Sequence, residues 1–269
     1  MFAWNFLVGT WVQIWGKRDN SWMDVNYGIC FIIPNTYILI ARFDDITYRM
    51  ILVTAIIWFW GTRLAYHIWA RHKKEDYRYK EMRESWEAQG TCVYFLKAYG
   101  FIYTMQGVFA TIVNLSALYV NLYSKSDSKD DGTGLGGLWY TDLIGAIVWL
   151  TGFLIEYFGD KQLSNHLKNP APGSGKFIRT GLWKYSRHPN YFGEFVMWWG
   201  IYIIACGISW GWVTILSPLF IGYLLRFLSG VPFPEKKYSE GKNKEEWEIV
   251  CAETNIFALW CPFKGSTSS

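Results

Sequence analysis

The stretch ITYRMILVTAIIWFWGTRLAYHIW, residues 46–69, is an apolar run that closes on aromatic residues. It is long enough to cross the hydrocarbon core of a bilayer, and its Tyr and Trp suit the headgroup level. ARHKKEDYRYKEMRESW, residues 70–86, follows at once and is as polar as the first stretch is apolar. The same alternation recurs along the chain. Of 269 residues, 51% are hydrophobic, 20% are aromatic and 17 are Trp, a composition that suits lipid rather than a soluble domain. Mean hydropathy is only +0.06 because short polar loops dilute the apolar blocks.

Working outward, MFAWNFLVGTWVQIWG at 1–16 is apolar but short for a span and has no basic n-region or small-residue cleavage site. It reads as a retained, marginal first helix. The block 23–41 contains Asn26, Pro34 and Asn35, so it should be kinked and partly protein-facing. Residues 93–123 form a long helical stretch interrupted by Gly100, Gly107 and Asn114, then the loop SKSDSKDDGTGLGG at 124–137. A span at 139–159, a basic loop at 160–189 and a hairpin of 191–206 and 212–230 about GISWG follow. The expected fold is all-α: a polytopic membrane helical bundle of six or seven spans. One membrane domain covers 1–269, divided into an N-terminal helix and loop (1–22), a bundle (23–230) and a polar tail (231–269).

Basic residues gather at Arg71, Lys73, Lys74, Arg78, Lys80 and Arg83, and again at Lys161, Lys168, Lys176, Arg179, Lys184 and Arg187. An even number of spans separates these loops and the tail, so all three face one side, the cytosol-equivalent one by the positive-inside rule. The same interleaving of bases with acids argues against a nucleic-acid partner. Five scattered cysteines with no CxxC pair indicate neither a zinc site nor a disulfide framework.

The polar chemistry concentrates in GLWKYSRHPNYFGEFVMWWG, residues 181–200. Pro189 suits the first helical position, and the amides of that turn, beside Arg187 and Lys184, make an anion site fit for a phosphate or pyrophosphate. Asn190, Tyr191 and Glu194 can share one helix face, which a membrane helix would turn inward. A basic interfacial anchor would explain the RHP turn as well, but a carboxylate one turn inside a span needs a partner or a task. Ion pairing of Glu194 to Arg187 or Arg179 is the structural alternative. His67, His72 and His166 read as loop or interface residues, and no metal is expected. Residues 75–86 read either as an amphipathic surface helix or, through Asp76, Tyr77, Arg78 and Tyr79, as the mouth of a pocket.

Four motifs, KKEDYRYKEMRESW (73–86), KFIRTGLWKYSRHPNYFGEFVMWWGIY (176–202), SGVPFPEKKY (229–238) and TNIFALW (254–260), occur in the order and spacing of the steroid 5-alpha-reductase-like membrane proteins. The chain resembles the subgroup of small multi-pass members of mostly unassigned substrate, from about Asp24 to Pro262. The wider superfamily includes sterol reductases and isoprenylcysteine carboxyl methyltransferases. The resemblance implies a pocket formed by the C-terminal helices, holding NADPH and open to the cytosol-like face, with an apolar lipid-like substrate arriving from the bilayer. Carried over by motif, Arg179, Trp183, Arg187, His188 and Asn190 are cofactor-side residues, with Asp76 and Tyr77 as further ones. Tyr191 and Glu194 are the inner, catalytic candidates, since hydride transfer to a polarised double bond needs a proton donor.

The chain departs from the pattern where a basic pair usually precedes the C-terminal Thr, since it has Ala252 and Glu253, and where Leu259 replaces a Pro. Three functions are therefore set side by side: an NADPH-dependent reductase of a lipid or sterol-like double bond, a catalytically silent accessory subunit with protein partners in a larger membrane complex such as a respiratory one, and an S-adenosylmethionine-dependent methyltransferase. Membrane lipids are partners under each. The features serve an endoplasmic-reticulum, mitochondrial inner or bacterial inner membrane equally.

Overall fold

The computed structural model describes residues 1–125, 139–170 and 175–259. Most of the 124–137 loop, and Trp260 with the end of the tail, lie outside them. Helices α1 (Phe2–Ile14), α2 (Trp22–Ala41), α3 (Tyr48–Arg71), α4 (Tyr77–Glu87), α5 (Thr91–Lys97), α6 (Met105–Val113) and α7 (Leu115–Tyr123) come first. They are followed by α8 (Tyr140–Lys168), α9 (Pro189–Ala205), α10 (Leu216–Tyr223), α11 (Pro232–Ser239) and α12 (Lys244–Glu253). Among the described residues no strand forms, apart from one isolated parallel bridge between Ser186 and Asn255.

Among the described residues, four helical segments are long and apolar enough to cross a membrane: Trp22–Ala41, Tyr48–Arg71, Tyr140–Lys168 and Gly211–Ser239. A fifth arises if Thr91–Val113 and Leu115–Tyr123, which meet at 59°, count as one broken span. The break falls at Asn114, while the region of Gly100 relaxes into a π-helical stretch, Ala98–Thr104. π-Helical turns are rare and cluster at functional sites.

One expectation needs correction, and the tail gains detail. α8 runs nine residues past Gly159, so DKQLSNHLK continues the helix instead of opening the loop. The tail beyond Pro232 folds into α11 and α12. At 160–168 a polar helical stretch reads as a loop, because hydropathy registers lipid contact and not backbone conformation.

The chain divides into two compact units, Met1–Trp139 with Ala205–Leu216, and Tyr140–Ile204 with the chain from Ser217 onward. In the first, α2 and α3 pack with their backbones in contact at Gly28 and Gly61, where no side chain fits. Arg42, just past α2, caps the C-terminal end of α7 by donating to the carbonyls of Asn121, Leu122 and Ser124, each at 2.9 Å. α4 is pinned by ion pairs, Arg83 to Glu75 at 2.8 Å and to Glu87 at 3.1 Å, and Arg18 to Glu87 at 2.9 Å. In the second unit, Gly145, Gly152 and Gly159 recur every seven residues along α8 and face Gly200, Gly193 and Asn190 of α9. A Cβ on Gly152 would stand 2.6 Å from the Gly193 carbonyl oxygen. Small residues at this seam let two membrane helices approach closely.

Candidate functional site

The second unit positions the 181–200 motif. Gly181, at φ +62°, turns the chain against Gln162 of α8, whose Oε1 accepts from the Leu182 amide at 3.0 Å. Trp183 is anchored by an Nε1 donation to the Gly159 carbonyl at 3.0 Å. α9 then begins at Pro189, as the proline's fixed φ and missing donor dictate.

Two of the turn's amides are already engaged. Arg187 N donates to the Asn255 carbonyl at 2.8 Å, and His188 N donates to Ser186 Oγ at 3.1 Å. Ser186 Oγ in turn donates to the Phe257 carbonyl at 2.8 Å. The TNIF segment is thereby laid along the RHP turn.

Glu235 of α11 is the charge at the centre. Its Oε1 lies 2.8 Å from His188 Nε2 and 3.2 Å from Arg187 Nε. Arg187 also stands over Trp247 of α12, 5.8 Å from the ring centroid. His188 is only 4% exposed; burial pushes its imidazole below the ordinary value, against the upward pull of the Glu235 hydrogen bond. Its ring stacks on Tyr191 at 5.6 Å. Asn190 Nδ2 donates to Asp160 Oδ1 at 3.1 Å, while its buried Oδ1 and the buried Nδ2 of Asn255 meet no partner among the described residues.

Glu194 is buried on α9. The two cations considered for it are paired elsewhere: Arg187 with Glu235, and Arg179 with Glu253 at 3.0 Å. Arg179, Trp183, Arg187, His188, Asn190, Tyr191 and Glu194 all belong to this unit. Asp76 and Tyr77 belong to the first unit. There Asp76 caps α4 by accepting from the Arg78 amide at 3.0 Å, and Tyr77 is exposed.

The first unit holds a polar cluster of its own. Tyr79 donates to Asp24 Oδ1 at 2.6 Å, and Arg78 reaches Asp24 Oδ2 at 3.2 Å and Asp76 Oδ1 at 2.8 Å. Burial, with the Asp24 charge beside it, raises the Tyr79 phenol well above its usual range. Among the described residues no group of three His, Cys, Asp or Glu side chains stands at metal-binding spacing.

A family model described as "Protein of unknown function (DUF1295)" matches residues 10–254, most of the chain. The chain belongs to the DUF1295 family. This DUF1295 protein is similar to 3-oxo-5-alpha-steroid 4-dehydrogenase 1 of Homo sapiens, 40% identical over 114 residues, 41% of this chain and 38% of that protein. It is also similar to Steroid 5-alpha-reductase DET2 of Arabidopsis thaliana, 30% identical over 138 residues, 50% and 48% of the two chains. Uncharacterized protein C594.04c of Schizosaccharomyces pombe is 24% identical over 225 residues, 74% and 59% of the two chains. The match covers less than two thirds of each relative's own length. No solved structure matches the chain.

Three residues of this DUF1295 protein's clusters escaped the sequence reading: Asp160, Asp24 and Asn255. Asp160 was assigned to a loop. Asp24 sits at a helix start where acids are commonplace, and only its partners Tyr79 and Arg78 single it out. Asn255 carried a motif signal in TNIFALW, but the signal did not name a task. Glu235, carried by the SGVPFPEKKY motif, meets both His188 and Arg187.

Proposed function

We propose that this protein is a membrane-embedded, NADPH-dependent reductase acting on a double bond in a sterol-like lipid. The observation that carries the reading is the Arg187–His188–Glu235 constellation at the start of α9, in a chain whose partial-length relatives are named as steroid 5-alpha-reductases. Six spans fit the topology: the four long apolar segments, the broken one, and α9, whose 17 residues reach about 25 Å at 1.5 Å each. That count puts the two basic loops and the tail on one side.

The residues present fit a dinucleotide. Arg187 supplies a charge for phosphate, the planes of Trp183 and Trp247 suit aromatic groups, and the unmet acceptor of Asn190 and unmet donor of Asn255 match a carboxamide or a ribose diol. Bound NADPH would supply the hydride. His188, held neutral by burial and oriented by Glu235, keeps Arg187 the principal cation of the turn. Tyr191 and Glu194 are the proposed catalytic pair, one turn further into α9.

The Arg179–Glu253 pair favours a second reading, a retained scaffold without the reaction, because it neutralises one proposed phosphate ligand. Binding of NADPH, NADH and S-adenosylmethionine to the purified protein in nanodiscs separates the readings. NADPH-selective stabilisation that disappears in Arg187→Ala supports the reductase. Selective response to S-adenosylmethionine would transfer the site to methyl transfer, and no response to any of the three, in folded protein, would sink the enzyme reading.

A further inference from the structure

In the first unit, four polar side chains from α2, α3, α7 and the α6–α7 break meet where lipid-crossing helices normally carry none. Asn35, Asn114 and Asn121 are fully buried, and Thr54 is 4% exposed. Asn35 Nδ2 donates to the Phe31 carbonyl at 2.8 Å and to Asn114 Oδ1 at 3.1 Å, and Asn35 Oδ1 accepts from Asn121 Nδ2 at 2.7 Å. Asn121 Nδ2 also reaches Thr54 Oγ1 at 3.1 Å. These bonds set the orientation of each amide. Both protons of Asn35 are used and its oxygen is taken, so Asn114 must turn its own oxygen to Asn35. The Nδ2 of Asn114 is left buried with no acceptor among the described residues.

Such a donor is costly in a protein interior, and more so where hydrocarbon surrounds the bundle. The helix that presents it is broken. Pro34 precedes Asn35 inside α2, and Asn114 is itself the residue between α6 and α7 at the 59° bend. Broken helices carrying polar side chains within a membrane commonly line binding sites. The cluster holds only amides and a hydroxyl, so it offers no charge to balance an ion.

We propose that Asn114 Nδ2 is the recognition donor of a binding site for the carbonyl or hydroxyl oxygen of an uncharged, lipid-soluble ligand. Asn35, Asn121 and Thr54 act as positioning residues that aim it. The sterol-sized probes below rest on the proposed substrate class, but neither nucleotide nor turnover enters, so this site and the NADPH site can fail separately.

The test uses full-length protein in nanodiscs labelled with ¹⁵N-asparagine, with cholest-4-en-3-one, cholesterol and the oxygen-free cholestane as probes. Asn114→Leu and Asn114→Thr identify the Asn114 side-chain resonances. The expected result is a downfield shift of those amide protons with the ketone and the alcohol but not with cholestane. The ketone should bind about tenfold more weakly to Asn114→Leu, as loss of one neutral hydrogen bond requires. If the variants fail to fold, the wild-type contrast between ketone and hydrocarbon still decides. Equal shifts with cholestane, no shift with any probe, or persistent cross-relaxation to a bound water in the presence of all three would overturn the proposal.

Discussion

Glu253 stands 3.0 Å from Arg179, so a cation proposed to face the cofactor is salt-bridged to an acid. Both side chains are more than a third exposed, and water screens such pairs until little stability remains in them. The pair therefore matters for what Arg179 can bind more than for the fold. Glu253→Lys is expected to raise NADPH affinity about tenfold over the parent while moving stability by less than about 0.5 kcal/mol. Calorimetric titration with NADPH and NADH, beside a thermal melt, measures both.

Glu235 is shared by His188 and Arg187, whose side chains are 5% and 10% exposed. Removing the carboxylate strands a largely buried guanidinium. Glu235→Ala should cost roughly 3 kcal/mol, against a smaller loss in Glu235→Gln, which still accepts one hydrogen bond. Detergent-denaturant unfolding followed by Trp fluorescence reads the difference; equal losses in the two variants would show that charge is not what holds the turn.

Burial lowers the His188 pKa below its ordinary value of 6.5, so between those two values the unfolded chain carries a proton that the folded chain lacks. Stability from this residue is complete above pH 6.5 and falls as the pH drops toward the depressed folded value. His188→Gln should flatten that part of the profile, which thermal midpoints from pH 7.5 to 5 would display.

At the α8–α9 seam, Gly152→Ala forces a methyl against the Gly193 carbonyl and should cost about 1–3 kcal/mol. Gly100 has nothing within 4 Å of where its Cβ would be, so Gly100→Ala should leave the melting temperature nearly unchanged or raise it. A melt of both variants side by side tests whether close approach, not glycine itself, is what the seam requires.

Arg42 satisfies three carbonyls at the end of α7. Arg42→Ala should lose about 1–3 kcal/mol, and Arg42→Lys should recover only part, because a point-like ammonium cannot reproduce the planar fork. Hydrogen exchange of the α7 amides should quicken in both.

Residues 46–69, the polar loops and the order of four motifs were enough to read a helical membrane protein of this family, because transfer to lipid is a property of each segment taken alone. The start of α9 at Pro189 and the disturbances at Gly100 and Asn114 were legible for the same reason, since each residue acts on its own backbone, whereas α2 runs unbroken through Pro34 and α6 through Gly107. Polar helices such as 160–168 and α12 were not, because their helicity comes from packing and not from lipid. Partners were the least legible. Glu194 was offered Arg187 and Arg179, yet these pair with Glu235 and Glu253, and the Asp24–Tyr79 bond and the asparagine cluster join positions 55 and 79 apart. Which carboxylate meets which cation, and which amide is left with a proton to donate, depends on how helices distant in the chain are laid side by side. A local pattern carries no record of that, so only the tertiary structure decided it.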